Sequence, residues 1–340
     1  MTSSVIMVVL TAFIVALIAT GLMRRYALQR NLIDVPNARS SHALPTPRGG
    51  GIAIVVAFFS SLLVIAYIGL IDFRVLSALL IGGGAMALVG FLDDRRHLRA
   101  SVRFCVHLAA AIWVVILLGG VSETALAHWG LYGVWTGRLF VILTLVWTTN
   151  LFNFMDGLDG IACSEAIFIS CAGAWLNWRE GGPPGLTAAM ACLSATCLGF
   201  LRWNWPPARI FMGDVGSGFL GFSLAVLGLA ASQKGMLPIE IWAILGGVFL
   251  VDATVTVVRR LARGDRWFEA HRTHAYQNLA RRLKAHLPVT ILVMMVNIFW
   301  LLPLAILAAN IPAYARWFLA VALSPLVVLV VAFGAGADER

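Results

Sequence analysis

Charge is scarce in this 340-residue chain: charged residues make up 12% of it, and acids (16) are fewer than Lys and Arg (25). Hydrophobic residues make up 60% and the mean hydropathy is +0.89, which excludes an ordinary soluble globular domain. The five cysteines, Cys105, Cys163, Cys171, Cys192 and Cys197, lie inside apolar runs with no C-x-x-C spacing, so they read as small packing residues. There is no composition break, internal repeat or low-complexity tract, which predicts one helical domain over residues 1–340. The first apolar run has no basic start and ends in Arg24-Arg25 instead of a small-residue cleavage site. It therefore reads as a retained helix and not a signal peptide.

What remains is hydrophobic length. Runs able to cross about 30 Å of hydrocarbon occur near 5–22, 51–71, 75–92, 105–120, 139–152, 160–178, 185–201, 213–231, 239–258, 288–309 and 317–335. They predict an all-α polytopic membrane bundle of eleven spans, in which 105–120 and 139–152 are the shortest. An odd count puts the termini on opposite sides. With the N-terminus outside and the C-terminus cytoplasmic, 20 of the 25 Lys and Arg face the cytoplasm, as the positive-inside rule requires. The net charge of +9 then reflects topology and affinity for anionic lipid or phosphate, with no nucleic-acid surface implied.

The unusual polar residues gather in five cytoplasmic segments, 23–50, 93–104, 151–159, 202–214 and 259–287. The first holds Arg39-Ser40-Ser41-His42 and then Arg48-Gly49-Gly50-Gly51. Arg48 and the glycine amides at the following helix start are candidates to hold a phosphate. The second carries Asp93-Asp94, a pair whose mutual repulsion calls for a cation or an arginine, followed by Arg95, Arg96, His97 and, four apart, Arg103 and His107. The third, Asn153-Phe154-Met155-Asp156-Gly157-Leu158-Asp159, places two carboxylates three apart. A helix starting there would present both on one face, for Mg2+ and for the imide N–H of uracil.

In the fourth segment, Asn204 and Phe211 precede Asp214 at a glycine-rich helix start, offering a face for base stacking and a metal ligand. Trp203 and Trp205 read as interfacial anchors. The fifth holds Glu269-Ala270-His271-Arg272-Thr273-His274, suited to pyrophosphate or sugar oxygens. Zinc is the rival ligand there, but no cysteine or third nearby histidine completes a site. Residues 275–284 form a basic amphipathic stretch that suits the headgroup layer.

In this order the five motifs resemble the polyprenyl-phosphate N-acetylhexosamine-1-phosphate transferase family, also called glycosyltransferase family 4, over about residues 31–277. The resemblance implies a Mg2+-dependent enzyme, with Mn2+ as a substitute. Such an enzyme moves an N-acetylhexosamine 1-phosphate from a UDP-sugar to undecaprenyl phosphate and releases UMP at the cytoplasmic face of a bacterial inner membrane. By resemblance, Asp93-Asp94 match the family's aspartate pair, Asn153-Asp156-Asp159 its nucleotide and metal motif, and Asp214 its metal aspartate. Asn204 and Phe211 lie near the nucleotide, and His271 and His274 lie in its histidine loop. The peptidoglycan branch has a lysine after the aspartate pair and a three-histidine run. This chain has Arg95, Arg96 and His97, and reads His-Arg-Thr-His-Ala-Tyr-Gln, which resembles the branch initiating O-antigen or other surface polysaccharides.

The expected roles follow. Asp214 and Asp156 hold the metal, and Asp93 and Asp94 guide the lipid phosphate. Arg48, Arg103, Asn153, Asp159, Asn204, Phe211 and Arg272 bind substrate, while His271 and His274 assist transfer. A homodimer and a two-step aspartyl-phosphate route are left open. The alternative function is an ion-coupled transporter of an anionic solute, for which Glu165 and Asp252 are the deep acids.

Overall fold

The computed structural model describes residues 3–36, 44–96, 98–120, 130–233, 237–265 and 271–337. Arg39 to His42, His97, Trp129, Glu269 and Ala270 lie outside the described residues.

The chain is a helical bundle. In order it forms α1 (Ser3–Gln29), α2 (Gly51–Tyr67), α3 (Phe73–Arg96), α4 (Ala100–Leu118), α5 (Gly130–Met155), α6 (Ile161–Arg179) and α7 (Pro184–Asn204). Then follow α8 (Asp214–Gln233), α9 (Ile239–Leu245), α10 (Gly247–Ala262), α11 (Ala275–Leu283), α12 (Leu287–Asn310) and α13 (Ala315–Ala332). Eight of these helices are long and apolar enough to cross a membrane, and nine if α9 and α10, bent by 80° at Gly246, form one broken span. Every expected apolar run falls on a helix. However, α2 has only 17 residues, and α6 is not among the helices that meet the length and hydropathy requirement. An all-α polytopic membrane protein is thus established.

The two runs that looked shortest are full helices of 19 and 26 residues, α4 and α5. Polarity hid their ends. Backbone hydrogen bonding continues past the expected ends through Arg103 and Asn153, whose side chains line a cavity. The expected helix start at 151–159 is corrected for the same reason. α5 runs on to Met155 and α6 begins at Ile161, so Asp156 and Asp159 sit in the intervening turn and share no helix face. Cys163, Cys192 and Cys197 are buried as expected, whereas Cys105 and Cys171 are exposed on the outside of the bundle.

The hub is α8, packed against α2, α3, α5 and α6, with 89% of its span buried. By contrast, α1 and α13 are buried over only 22% and form the lipid-facing rim. Small residues allow the close approach. A Cβ on Gly51 would lie 2.4 Å from the Cα of Gly216, and one on Gly90 would lie 2.4 Å from the carbonyl oxygen of Asp214. A two-residue antiparallel pairing, β1 (Ile33–Asp34) with β2 (Thr46–Pro47), sets the chain ahead of α2 beside this crossing.

Gly90→Val should lower the thermal midpoint of the detergent-solubilised protein by several degrees, since overpacking costs about 1–3 kcal/mol. Gly84→Ala, whose Cβ would meet only the edge of Phe59 at 3.8 Å, should leave it unchanged. Equal midpoints for the two variants would remove the crossing as a point of close packing.

Candidate active site

The N-terminus of α8 lies inside the protein, where its first N–H groups need acceptors. Asp94 supplies them. Its carboxylate accepts from the N–H of Asp214 at 2.9 Å and of Val215 at 3.2 Å. Arg48 bridges the cap, with Nη2 2.8 Å from Asp94 Oδ1 and 3.0 Å from Asp214 Oδ1. Burial works against the Arg48 charge, but Asp94, Asp214, Asp34 and Asp156 together offset it and hold its pKa above the ordinary arginine value.

The aspartate pair is therefore split between tasks. Successive helical residues point about 100° apart, and Asp93 faces the other way. It accepts from Leu98 N–H at 2.6 Å and pairs with Arg103 Nη1 at 2.6 Å. Arg103 also stands 3.8 Å from Asp214 Oδ2.

The glycine segment differs from the expected phosphate cradle. The Gly50 and Gly51 amides donate to the carbonyls of Phe211 and Met212, both at 2.9 Å. Those glycines let α2 reach α8, and only the Arg48 side chain enters the site.

Asn153, at the end of α5, donates to Ser217 Oγ at 3.2 Å. Asp156 follows in the turn. Burial, and then the charge of Asp214, raise its pKa well above the carboxylate range. Asp159 is engaged from both sides: one oxygen accepts from Ala208 N–H at 3.0 Å, and the other lies 3.2 Å from His286 Nδ1. Asn204 accepts from Gly160 N–H at 3.0 Å and donates to the Ile210 carbonyl at 2.9 Å. It therefore shapes the pocket floor, and its amide is already committed inside the protein.

Two cavities meet here. One, of about 470 Å3, is walled by Val89, Phe104, Leu143, Val146 and Trp147, with Asp93 and Arg103 also in its lining. The other, of about 210 Å3, is polar and lined by Arg48, Asp156, Asp159, Phe211, Gln277 and His286 among others. Asn153 and Asp214 line both. An apolar channel and a polar pocket thus share one carboxylate and one amide, which suits joining a lipid-borne group to a water-soluble one.

A family model described as glycosyl transferase family 4 matches residues 75–232. A probable undecaprenyl-phosphate N-acetylglucosaminyl 1-phosphate transferase of Bacillus subtilis (strain 168) is 31% identical over 280 residues, 80% of this chain and 77% of its own. The chain belongs to glycosyl transferase family 4. A decaprenyl-phosphate N-acetylglucosaminephosphotransferase of Mycobacterium leprae is 32% identical over 84% of this chain and 79% of its own. A phospho-N-acetylmuramoyl-pentapeptide-transferase of Moorella thermoacetica is 32% identical over a shorter stretch, 63% of this chain and 68% of its own. The implied family of polyprenyl-phosphate N-acetylhexosamine-1-phosphate transferases is therefore the right one.

In this family-4 transferase the histidine loop is held from beneath by Asp252 of α10. Its carboxylate accepts from the N–H groups of Ala275 at 3.0 Å and Tyr276 at 2.9 Å, and from Thr256 Oγ1 at 3.1 Å. It also lies 3.3 Å from His274 Nδ1. It caps α11. His274 is only 2% exposed and its ring stacks on His271 at 4.9 Å. Neither ring is among the described residues that line the two cavities. Burial and the neighbouring His274 and Arg260 lower the His271 pKa to about 3, leaving that ring neutral at neutral pH. Arg272 opens into a separate basic cavity with Arg281, Lys284 and His286.

Sequence reading missed Gln277 and His286 as lining residues and Asp252 as the loop's anchor. For Asp252 the available signal was a lone acid in an apolar run, and it pointed toward transport. Asp252→Asn would set an amide NH2 against backbone donors. Turnover should fall by about tenfold or more, roughly 1.4 kcal/mol, with a lower thermal midpoint and UMP binding largely kept. Initial rates and calorimetry on one preparation check this, and unchanged turnover would refute the anchoring role.

Proposed function

We propose that the protein transfers an N-acetylhexosamine 1-phosphate from a UDP-sugar to undecaprenyl phosphate, releasing UMP and initiating synthesis of O-antigen or another surface polysaccharide. The observation that carries this reading is the sharing of Asn153 and Asp214 by the apolar and polar cavities. The prenyl chain occupies the apolar channel with its phosphate toward Arg103, and the nucleotide occupies the polar pocket with uracil against Phe211 and Asp159. Asp159 keeps spare lone pairs for the imide N–H, since a carboxylate offers about four. The names of the relatives favour N-acetylglucosamine as the sugar.

An oxygen of the lipid phosphate attacks the sugar-bearing phosphorus. The bond from that phosphorus to the bridging oxygen breaks, and UMP departs with the electron pair. With a second pKa of about 6, the lipid phosphate arrives largely ionised and needs no strong base. Asp93, paired with Arg103, positions that guanidinium for the incoming phosphate.

Four aspartates, Asp34, Asp156, Asp159 and Asp214, line the polar pocket beside a single arginine, Arg48, so a diphosphate needs a cation to settle there. Asp156 and Asp214 are the oxygen donors that would hold Mg2+, or Mn2+ in its place. Among the described residues no cluster of three or more ligands is preassembled. Mg2+ is commonly bound by one or two carboxylates, with water and substrate phosphate completing its shell. Bound there, it would neutralise the charge growing on departing UMP.

Eleven crossings, an outward N-terminus and a cytoplasmic site in a bacterial inner membrane complete the proposal. The transporter reading is disfavoured by what its two acids do. Glu165 is fully buried against Asn297, and Asp252 caps α11.

Purified protein given undecaprenyl phosphate and a panel of UDP-N-acetylhexosamines should release UMP with one preferred sugar. No release with any donor would refute the function. Asp214→Asn and Asp156→Asn should each reduce release by about 100-fold or more, roughly 2.7 kcal/mol, at unchanged thermal stability. Val146→Trp, which fills the apolar channel, should raise KM for the lipid and leave UMP affinity intact. Parallel losses in both would show that the channel does not hold the lipid.

A further inference from the structure

We propose that the basic cavity between α11 and the start of α12 is a headgroup site for an acidic phospholipid. The cavity, of about 220 Å3, is lined by Arg272, Arg281, Lys284 and His286, with Gln277 at its inner wall and, among the described residues, no carboxylate in its lining. This is the reverse of the neighbouring polar pocket with its four aspartates. Among the described residues, neither Arg281 nor Lys284 forms an ion pair with a carboxylate. Both side chains are exposed. Lys284 ends α11 in a left-handed turn, φ 51°, which carries the chain from the amphipathic helix into the apolar α12.

The lip of the cavity is of a different kind. Leu283 (49% exposed) and Leu287 (36%) flank the Lys284–His286 stretch, and Ile291 (44%) continues the apolar surface one turn into α12. Cations that draw in a phosphodiester, directly beside uncovered aliphatic side chains where a membrane helix begins, match the two ends of a phospholipid. A soluble phosphate would use the cations and leave the leucines without a role.

The site also touches the reaction. Gln277 and His286 line both the basic cavity and the polar pocket. From the same helix, the Tyr276 hydroxyl donates to the Phe154 carbonyl at 3.0 Å. A headgroup in the cavity therefore steadies the helix that walls the donor pocket. This consequence for turnover rests on the proposed function, but the binding itself does not.

The test is made on the full chain in detergent, delipidated and then titrated with phosphatidylglycerol or phosphatidylcholine, with retained lipid counted by native mass spectrometry. The wild type should hold phosphatidylglycerol at least about fivefold more tightly, and Arg281→Gln with Lys284→Gln should abolish that preference. UMP binding measured on the same samples reports folding without using turnover, and a failed transferase assay would leave the lipid result standing. Should the double variant not fold, Lys284→Gln alone carries the comparison, since its side chain lies outside any helix. Phosphatidylglycerol preference unaltered in the variants would overturn the proposal. So would displacement of the lipid by inorganic phosphate with affinity unchanged in Leu283→Gln with Leu287→Gln, which would make the cavity a soluble-anion site.

Discussion

The buried start of α8 is the constraint on which the rest depends. A helix N-terminus inside a membrane protein presents unpaired N–H groups and the positive end of its dipole, which need acceptors. Asp94 meets both needs from α3, and Arg48 balances Asp94 from the segment before α2. The acceptor comes from α3 and its counterion from the segment leading into α2, so α2, α3 and α8 meet at one point. Gly51, Gly90, Gly213 and Gly216 are the residues that let them. Asp214 is the first residue of α8, so the same knot fixes its position between the two cavities.

From that point the chemistry divides along the polarity of the walls. On one side α3, α4 and α5 keep apolar residues inward, which suits the proposed prenyl chain. On the other, the turns after α5 and before α8 bring carboxylates together in a small polar space. Burial, and then the neighbouring charge of Asp214, raise the pKa of Asp156 there, and a divalent cation is the proposed means of bringing phosphate into a pocket lined by four aspartates. Polar groups deep in the bundle have a different task. Asp252 and Glu165 satisfy partners inside the protein, Asp252 by fixing the loop that closes the site, Glu165 by joining α6 to α12.

The sequence alone determined the membrane class, the positions of the apolar runs, the family, and the candidate status of Asp93, Asp94, Asp156 and Asp214. Hydrophobic length is a local property, and acids kept where most others are absent stand out without coordinates. Helix ends were harder to read. Arg103, Asn150 and Asn153 look like loop residues until a cavity is present to receive them. What each member of a motif does was decided only by the tertiary structure. Neighbours such as Asp93 and Asp94 leave a helix in different directions, and the glycine amides, Asn204 and His274 find partners from distant segments. The roles of Asp252, Gln277 and His286 also depended on the fold. Their partners are tens of residues or more away, and hydrogen-bond geometry between distant segments leaves no periodic trace in the chain.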